Sequence, residues 1–239
     1  VQLIEGDCLE VMRGMDDNSV DAVVTDPPYG LGTVKDVAGL IRDWMNDGDG
    51  GDHVGAAGFM GRDWDRTVPP PVLWREMFRI MKPGAYALVF SGTRTQDLMG
   101  LSLRLAGFET VGCINWVYGS GFPKSLDVSK ALDKHFGCER EVVGIKQGKS
   151  GENLNSLSRN GKGDSIFAKG CGAYGVGAKQ VNINIDITAP THPLAKQWDG
   201  YRTQLKPAHE PIIIVRKPLD GTTVENVQRW GCGGFNIDG

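Results

Sequence analysis

The feature that most constrains this chain is a short apolar run that stops at two prolines: Val20–Thr25 (VDAVVT) leads directly into Asp26-Pro27-Pro28-Tyr29. A near-continuous β-branched run of this length predicts a strand buried on both faces, as in a parallel sheet. Each proline fixes φ and lacks a backbone N–H, so the strand must end there in a stiff turn. Similar punctuation recurs along the chain. Val1–Glu5 is expected to be a short strand, broken by Gly6-Asp7, and Leu9–Met15 a helix with Leu9 and Met12 facing inward. Val72–Met81 is expected to be a helix with Pro71 at its first position, and Tyr86–Phe90 the next strand. Arg94–Ala106 places Leu98, Leu101 and Leu105 at helical spacing before a terminating Gly107. Phe108–Tyr118 and Pro211–Arg216 (PIIIVR) are further strands, with a short helix near Leu126–Phe136. Strands alternating with helices predict an α/β fold with a mostly parallel, doubly wound sheet.

The periodicity fades twice. Residues 34–65 are rich in glycine and aspartate and read as a long loop, and 147–190 are polar, glycine-rich and weakly periodic. Three regions follow: 1–145 as the α/β core, 146–206 as a glycine- and lysine-rich insertion, and 207–239 as a returning strand with an extension. The net charge of −3 argues against wholesale coating of nucleic acid. The insertion is locally basic, however, with Lys146, Lys149, Arg159, Lys162, Lys169 and Lys179, which suits phosphate contacts; a disordered insertion is the alternative. Five cysteines without a C-x-x-C pair disfavour a zinc site or a disulfide framework and fit a reducing cytoplasm. No metal site is expected, since His53, His135 and His192 have no companions at ligand spacing. No apolar run approaches the roughly 18 residues of a membrane span.

The chemistry concentrates at the proline turn. Ligands of open α/β sheets bind outside the carboxyl ends of strands, and there the turn holds a carboxylate and an aromatic ring in fixed relation. That pairing suits a flat, nitrogen-bearing ring: Tyr29 stacks on its face while Asp26 accepts from its amino group. An exocyclic amine is a poor nucleophile because its lone pair is delocalised into the ring. An acceptor at Asp26, helped by a proline carbonyl, favours the pyramidal nitrogen that forms during attack on a methyl group. The plain alternative is a rigid turn with a surface aromatic.

More of the chain speaks to the choice. GDCLEVM (Gly6–Met12), VDAVVTDPPYG (Val20–Gly30), GFMGRDWD (Gly58–Asp65), FRIMKPGAYALVFSGTRT (Phe78–Thr95), INWVYGSGFPKSLDVSKALDK (Ile114–Lys134), AKQWDGY (Ala195–Tyr201) and LKPAHEPIIIVRKPL (Leu205–Leu219) stand in this order. With these stretches the chain resembles the amino-methylating DNA methyltransferases that modify adenine N6 or cytosine N4. The resemblance is to the group with permuted, β-type motif order common in phages and prophages. It implies a Rossmann-like methyltransferase fold, S-adenosyl-L-methionine as cofactor, and double-stranded DNA with base flipping as substrate. It makes Asp26, Pro27, Pro28 and Tyr29 the catalytic motif, with Asp26 also beside the cofactor. Asp7 and Cys8 would hold the cofactor's adenine, although Asp7 serves equally as a helix N-cap. Tyr29, Trp116 and Lys124 would line the flipped-base pocket, with ordinary core packing as the alternative for Trp116. His209 and Glu210 open the late strand, where a structural hydrogen-bonding role is expected. The 146–206 insertion takes the place of target recognition, and a homodimer and a cognate restriction enzyme are the further partners this kinship admits, in a bacterial or phage-infected cytoplasm.

One family element is not found: a glycine-rich loop after a strand, wrapping the methionine end of the cofactor. Gly170–Gly175 fits G-x-G-x-x-G without a preceding strand or following helix, and Trp230–Gly239 resembles a segment upstream of the true loop. The expectation is a chain that stops short, with an exposed sheet edge, weak cofactor binding and poor turnover. An aspartate-led motif tilts the target toward adenine N6 over cytosine N4 and away from protein amide or RNA methylation. A non-catalytic DNA-binding fragment is the alternative of a different class. A nicotinamide-dependent oxidoreductase is disfavoured by the lack of a strand–glycine loop–helix unit near the N-terminus.

Overall fold

The structure is a computed structural model that describes residues 1–55, 63–119, 125–149, 182–205 and 208–238. The chain divides into two compact units, Val1–Gly119 with Ala208–Gly239, and Ser120–Pro207.

The first unit is α/β. Its elements are α1 (Cys8–Arg13), β1 (Val20–Thr25), α2 (Val37–Met45), α3 (Pro71–Ile80), β2 (Met81–Phe90), α4 (Gln96–Leu105) and β3 (Glu109–Val117). In the second unit lie α5 (Val128–His135), β4 (Glu141–Lys149), β5 (Asn182–Ala189) and α6 (Pro193–Gln197). The chain then returns to the first unit with β6 (His209–Arg216) and α7 (Thr223–Trp230). The sheet order is β1-β2-β6-β3. β1 and β2 are parallel, and their connection runs through α2 and α3, as a parallel pair requires. β6 is antiparallel to both β2 and β3, so three strands point one way and β6 is the reversed member.

Side-chain alternation along β2 sorts the two faces. Ala85, Ala87 and Val89 are fully buried against Trp74 and Met77 of α3 and Met99 and Leu103 of α4, joined by Ile213 and Val215 of β6. α3 starts with Pro71 at its first turn, as expected. The Pro69 carbonyl accepts from two buried donors, Trp74 Nε1 (3.1 Å) and Ser102 Oγ (2.7 Å), and so ties α3 to α4. On α4 the fully buried positions are Met99, Ser102 and Leu103, while Leu98, Leu101 and Leu105 sit at the half-buried margin. On the other face Phe235, beyond α7, packs on Tyr86 with ring centroids 4.0 Å apart.

Four expectations are corrected. Val1–Glu5 forms no strand: Leu3 is 94% exposed, and no described residue pairs with the segment. β1 is not buried on both faces: Val24, in register with Leu88, is 70% exposed, and among the described residues the strand pairs with β2 alone. The 34–65 region is more than a loop. It holds α2, capped by Asp36 accepting from Gly39 N–H, with Leu40 and Trp44 fully buried in the core. The weakly periodic region begins and ends in an antiparallel β4–β5 ladder. Among the described residues β4 pairs only with β5.

The second unit is pinned by one buried ion pair. Asp133, 1% exposed, accepts from Arg140 (2.6 Å) and from the His192 N–H (2.9 Å), with Thr191 N–H at 3.3 Å. Burial alone would raise the Asp133 pKa, but the His192 and Thr191 amides and the Arg140 guanidinium outweigh it and hold the carboxyl below its usual range. Arg140 also reaches Thr188 at the end of β5 and Ser129 of α5, so one side chain links the hairpin to the helix.

Candidate active site

The proline turn leaves the carboxyl end of β1 and is held by four hydrogen bonds to three residues. Gly30 is buried at φ 65°, and its N–H donates to the buried carboxylate of Asp65 at 3.0 Å. The Leu31 N–H donates to the Asp65 carbonyl, also at 3.0 Å. A Cβ at Gly30 would stand 2.5 Å from the backbone nitrogen of Val68, so only glycine permits both the left-handed φ and the close approach. The Tyr29 carbonyl accepts from Thr95 Oγ1, in the turn that follows β2. The Tyr29 hydroxyl donates to Glu210 Oε2 of β6 at 3.3 Å.

This frame exposes Asp26 to solvent and leaves Pro27, Pro28 and Tyr29 half-buried. Neither a core-packed Tyr29 nor an ion-paired Asp26 is seen among the described residues. Burial, followed by the neighbouring Asp26 carboxylate and then Glu210, raises the Tyr29 phenol far above its ordinary pKa. The hydroxyl is therefore a standing donor with two carboxylates beside it. Tyr118, just past β3, is raised by burial and then by Glu210. Trp116 lies in register with Glu210 across the β3–β6 ladder and is 61% exposed, so it is not a core residue. Three aromatic side chains thus gather near one half-buried carboxylate, with Asp26 at the open end.

Asp7 is the N-cap of α1; its Oδ1 accepts from Leu9 N–H (3.0 Å) and Glu10 N–H (3.2 Å). The other carboxylate oxygen has no hydrogen-bond partner among the described residues, and both Asp7 and Cys8 are exposed. The cap therefore leaves an acceptor available to a ligand. Beside the turn opens a cleft of about 330 Å³, lined by Gly30, Leu31, Thr33, Arg94, Thr95 and Asp97 among others. Lys124 and Gly170–Gly175 lie outside the described residues. Trp230–Gly239 begins at the end of a helix: Gly231 caps α7 at φ 70°, and Cys232 and Asn226 fasten the tail to the Pro83 carbonyl. A helix rather than a strand leads into it, which separates it from a strand-born glycine loop.

Sequence reasoning expects a hydrogen-bonding role for Glu210 without finding its partner, and does not find Asp65 or Thr95 as supports of the turn. Their partners lie 181, 35 and 66 residues away along the chain, and no local pattern encodes such pairings.

No family model matches the chain. A candidate methylase of Escherichia coli K12, YubD, is 31% identical over 111 residues, which are 46% of this chain and 40% of that protein. Three crystal structures of a candidate DNA modification methylase of Thermus thermophilus align with TM-scores of 0.37 and 16–18% identity. They cover 94% of this chain and 56–59% of that one, and one of them is complexed with S-adenosyl-L-methionine. The chain spans less than two thirds of the length of these proteins. By sequence, the chain is similar over part of its length to a candidate methylase.

Proposed function

We propose that this chain carries the catalytic part of an S-adenosylmethionine-dependent DNA methyltransferase that modifies the exocyclic amino group of an extruded base, adenine N6 in the first instance. The observation that carries the reading is the solvent-open Asp26 carboxylate, presented by a proline turn beside the Tyr29 ring at the carboxyl end of β1. The similarity to a candidate methylase supports it.

When bound, S-adenosylmethionine supplies an electrophilic methyl group on a sulfonium. Asp26 accepts a hydrogen bond from the amine and stabilises the positive charge that nitrogen gains as the N–C bond forms and the C–S bond breaks. The Pro27 carbonyl, with no competing N–H on Pro28, offers a second acceptor. The surplus amine proton then passes to solvent at this exposed position. Tyr29 supplies the stacking face, Trp116 a further wall, and the free oxygen of Asp7 with neighbouring Cys8 an acceptor site for the cofactor's adenine. A base paired within a duplex cannot reach such a turn, so extrusion is required. The 146–206 insertion is assigned to target recognition, and DNA retention that falls steeply with salt checks that assignment.

Nucleoside mass spectrometry of DNA incubated with the chain and S-adenosylmethionine tests the function. N6-methyladenine is expected. N4-methylcytosine would move the target to cytosine, and no product together with a silent calorimetric titration of the donor would leave a DNA-binding fragment.

A further inference from the structure

We propose that Glu210 is a positioning residue: by accepting the single hydroxyl proton of Tyr29, it keeps that proton off Asp26 and leaves the motif carboxylate open to the substrate amine. This rests on the reading of Asp26 as the amine acceptor.

A phenol carries one proton and can donate it once at full strength. At Tyr29 two carboxylates compete for it. Asp26, in the same turn as the tyrosine, acts on the phenol more strongly than Glu210 does, both as a hydrogen-bond acceptor and as a charge. The contact with donor–acceptor geometry, however, is the one to Glu210 on the reversed strand β6, at 3.3 Å. Their surroundings decide between them. Asp26 is exposed, so water satisfies its oxygens when the phenol turns away; Glu210 is half-buried on β6, opposite Trp116 of β3, and loses more if left unpaired. The raised pKa of Tyr29 keeps the phenol a donor throughout the working range. A hydroxyl donated to Asp26 would occupy one lone-pair direction and withdraw charge from the oxygen that must face the amine. The bond to Glu210 also fixes the azimuth of the Tyr29 ring, whose backbone is already held by Thr95. The strand inserted against the direction of its neighbours thus carries a side chain with a use at the turn.

The test is a double-mutant cycle. Glu210→Ala should lower kcat by about tenfold, the worth of one hydrogen bond to a charged group, with little change in KM. Glu210→Gln keeps an acceptor oxygen and should recover most of that loss. Tyr29→Phe/Glu210→Ala should be no slower than Tyr29→Phe alone, because without the hydroxyl there is no proton to divert. A double variant slowed by the product of the two single effects would overturn the proposal and leave Glu210 a purely structural residue. A second arm needs no turnover: with carbon-13 at tyrosine Cζ and aspartate carboxyls, Glu210→Gln should shift the Tyr29 Cζ resonance at neutral pH, and Glu210→Ala should shift the Asp26 resonance. Unchanged spectra would refute the Tyr29–Glu210 link itself. Shifted spectra with no methylated base would retain the link and reject the methyltransferase reading instead.

Discussion

β1 and β2 are neighbours in one sheet, parallel and in register from Ala22 with Tyr86 to Thr25 with Val89, yet their surroundings are opposite. β2 has strands on both sides, and its Ala85, Ala87 and Val89 are fully buried under α3 and α4. β1 has one neighbour among the described residues, and its Val24 is 70% exposed. Rigidity at the turn after β1 therefore does not come from β1. It comes from Asp65, Thr95 and Glu210, each reaching in from another element. The site is a loop clamped by side chains, hung on the outer strand of the sheet, whereas β2 is held by packing.

This contrast can be broken in order of effect. Leu103→Ala, at a fully buried position over β2, should destabilise the chain by about 2–5 kcal/mol in denaturant unfolding, through lost transfer energy and a cavity. A small change there would mean that the helix-covered face does not carry the stability. Gly30→Ala should cost about 1–3 kcal/mol, because a side chain at φ 65° is strained and its Cβ meets the Val68 backbone. It should also loosen the turn, with methyl transfer falling further than stability explains. Val24→Thr should shift stability by no more than about 0.5 kcal/mol, as expected of an exposed position. Amide exchange sharpens the comparison: the amides of β2 should exchange only through near-global opening, and those on the outer edge of β1 orders of magnitude faster. Equal protection of the two strands would show that β1 is covered in solution.

Much of the first unit is legible from residue pattern because it depends on local grammar. Pro71 announces the start of α3, the prolines mark the end of β1, and PIIIVR reads as a strand that the structure extends back to His209. What escapes depends on partners far along the chain. VDAVVT has the composition of a central strand, but centrality is decided by what lies on either side, and among the described residues only β2 does. α2 is hidden because its helical signal, Val37, Leu40, Ile41 and Trp44, is one short run within a stretch whose aspartates and glycines favour turns. Those residues serve as caps instead: Asp36 caps the start of α2, and Asp43 accepts from the Gly50 N–H. The β4–β5 ladder escapes because its strands are separated by a long polar stretch, so no turn signal joins them. At the site, the turn itself is readable and its clamps are not, since Asp65, Thr95 and Glu210 gain meaning only when folding brings them to Tyr29 and Gly30.

The central claim is that the turn's carboxylate acts on an amine, and the direct measurement is transfer of labelled methyl from S-adenosylmethionine to DNA by the wild-type chain and by Asp26→Ala. Removal of an electrostatic stabiliser of this kind should cost roughly 10²–10³-fold in rate, with DNA retention and melting temperature unchanged. Because the comparison is a ratio, slow transfer by the wild type is sufficient. Equal transfer by the two proteins would contradict the account.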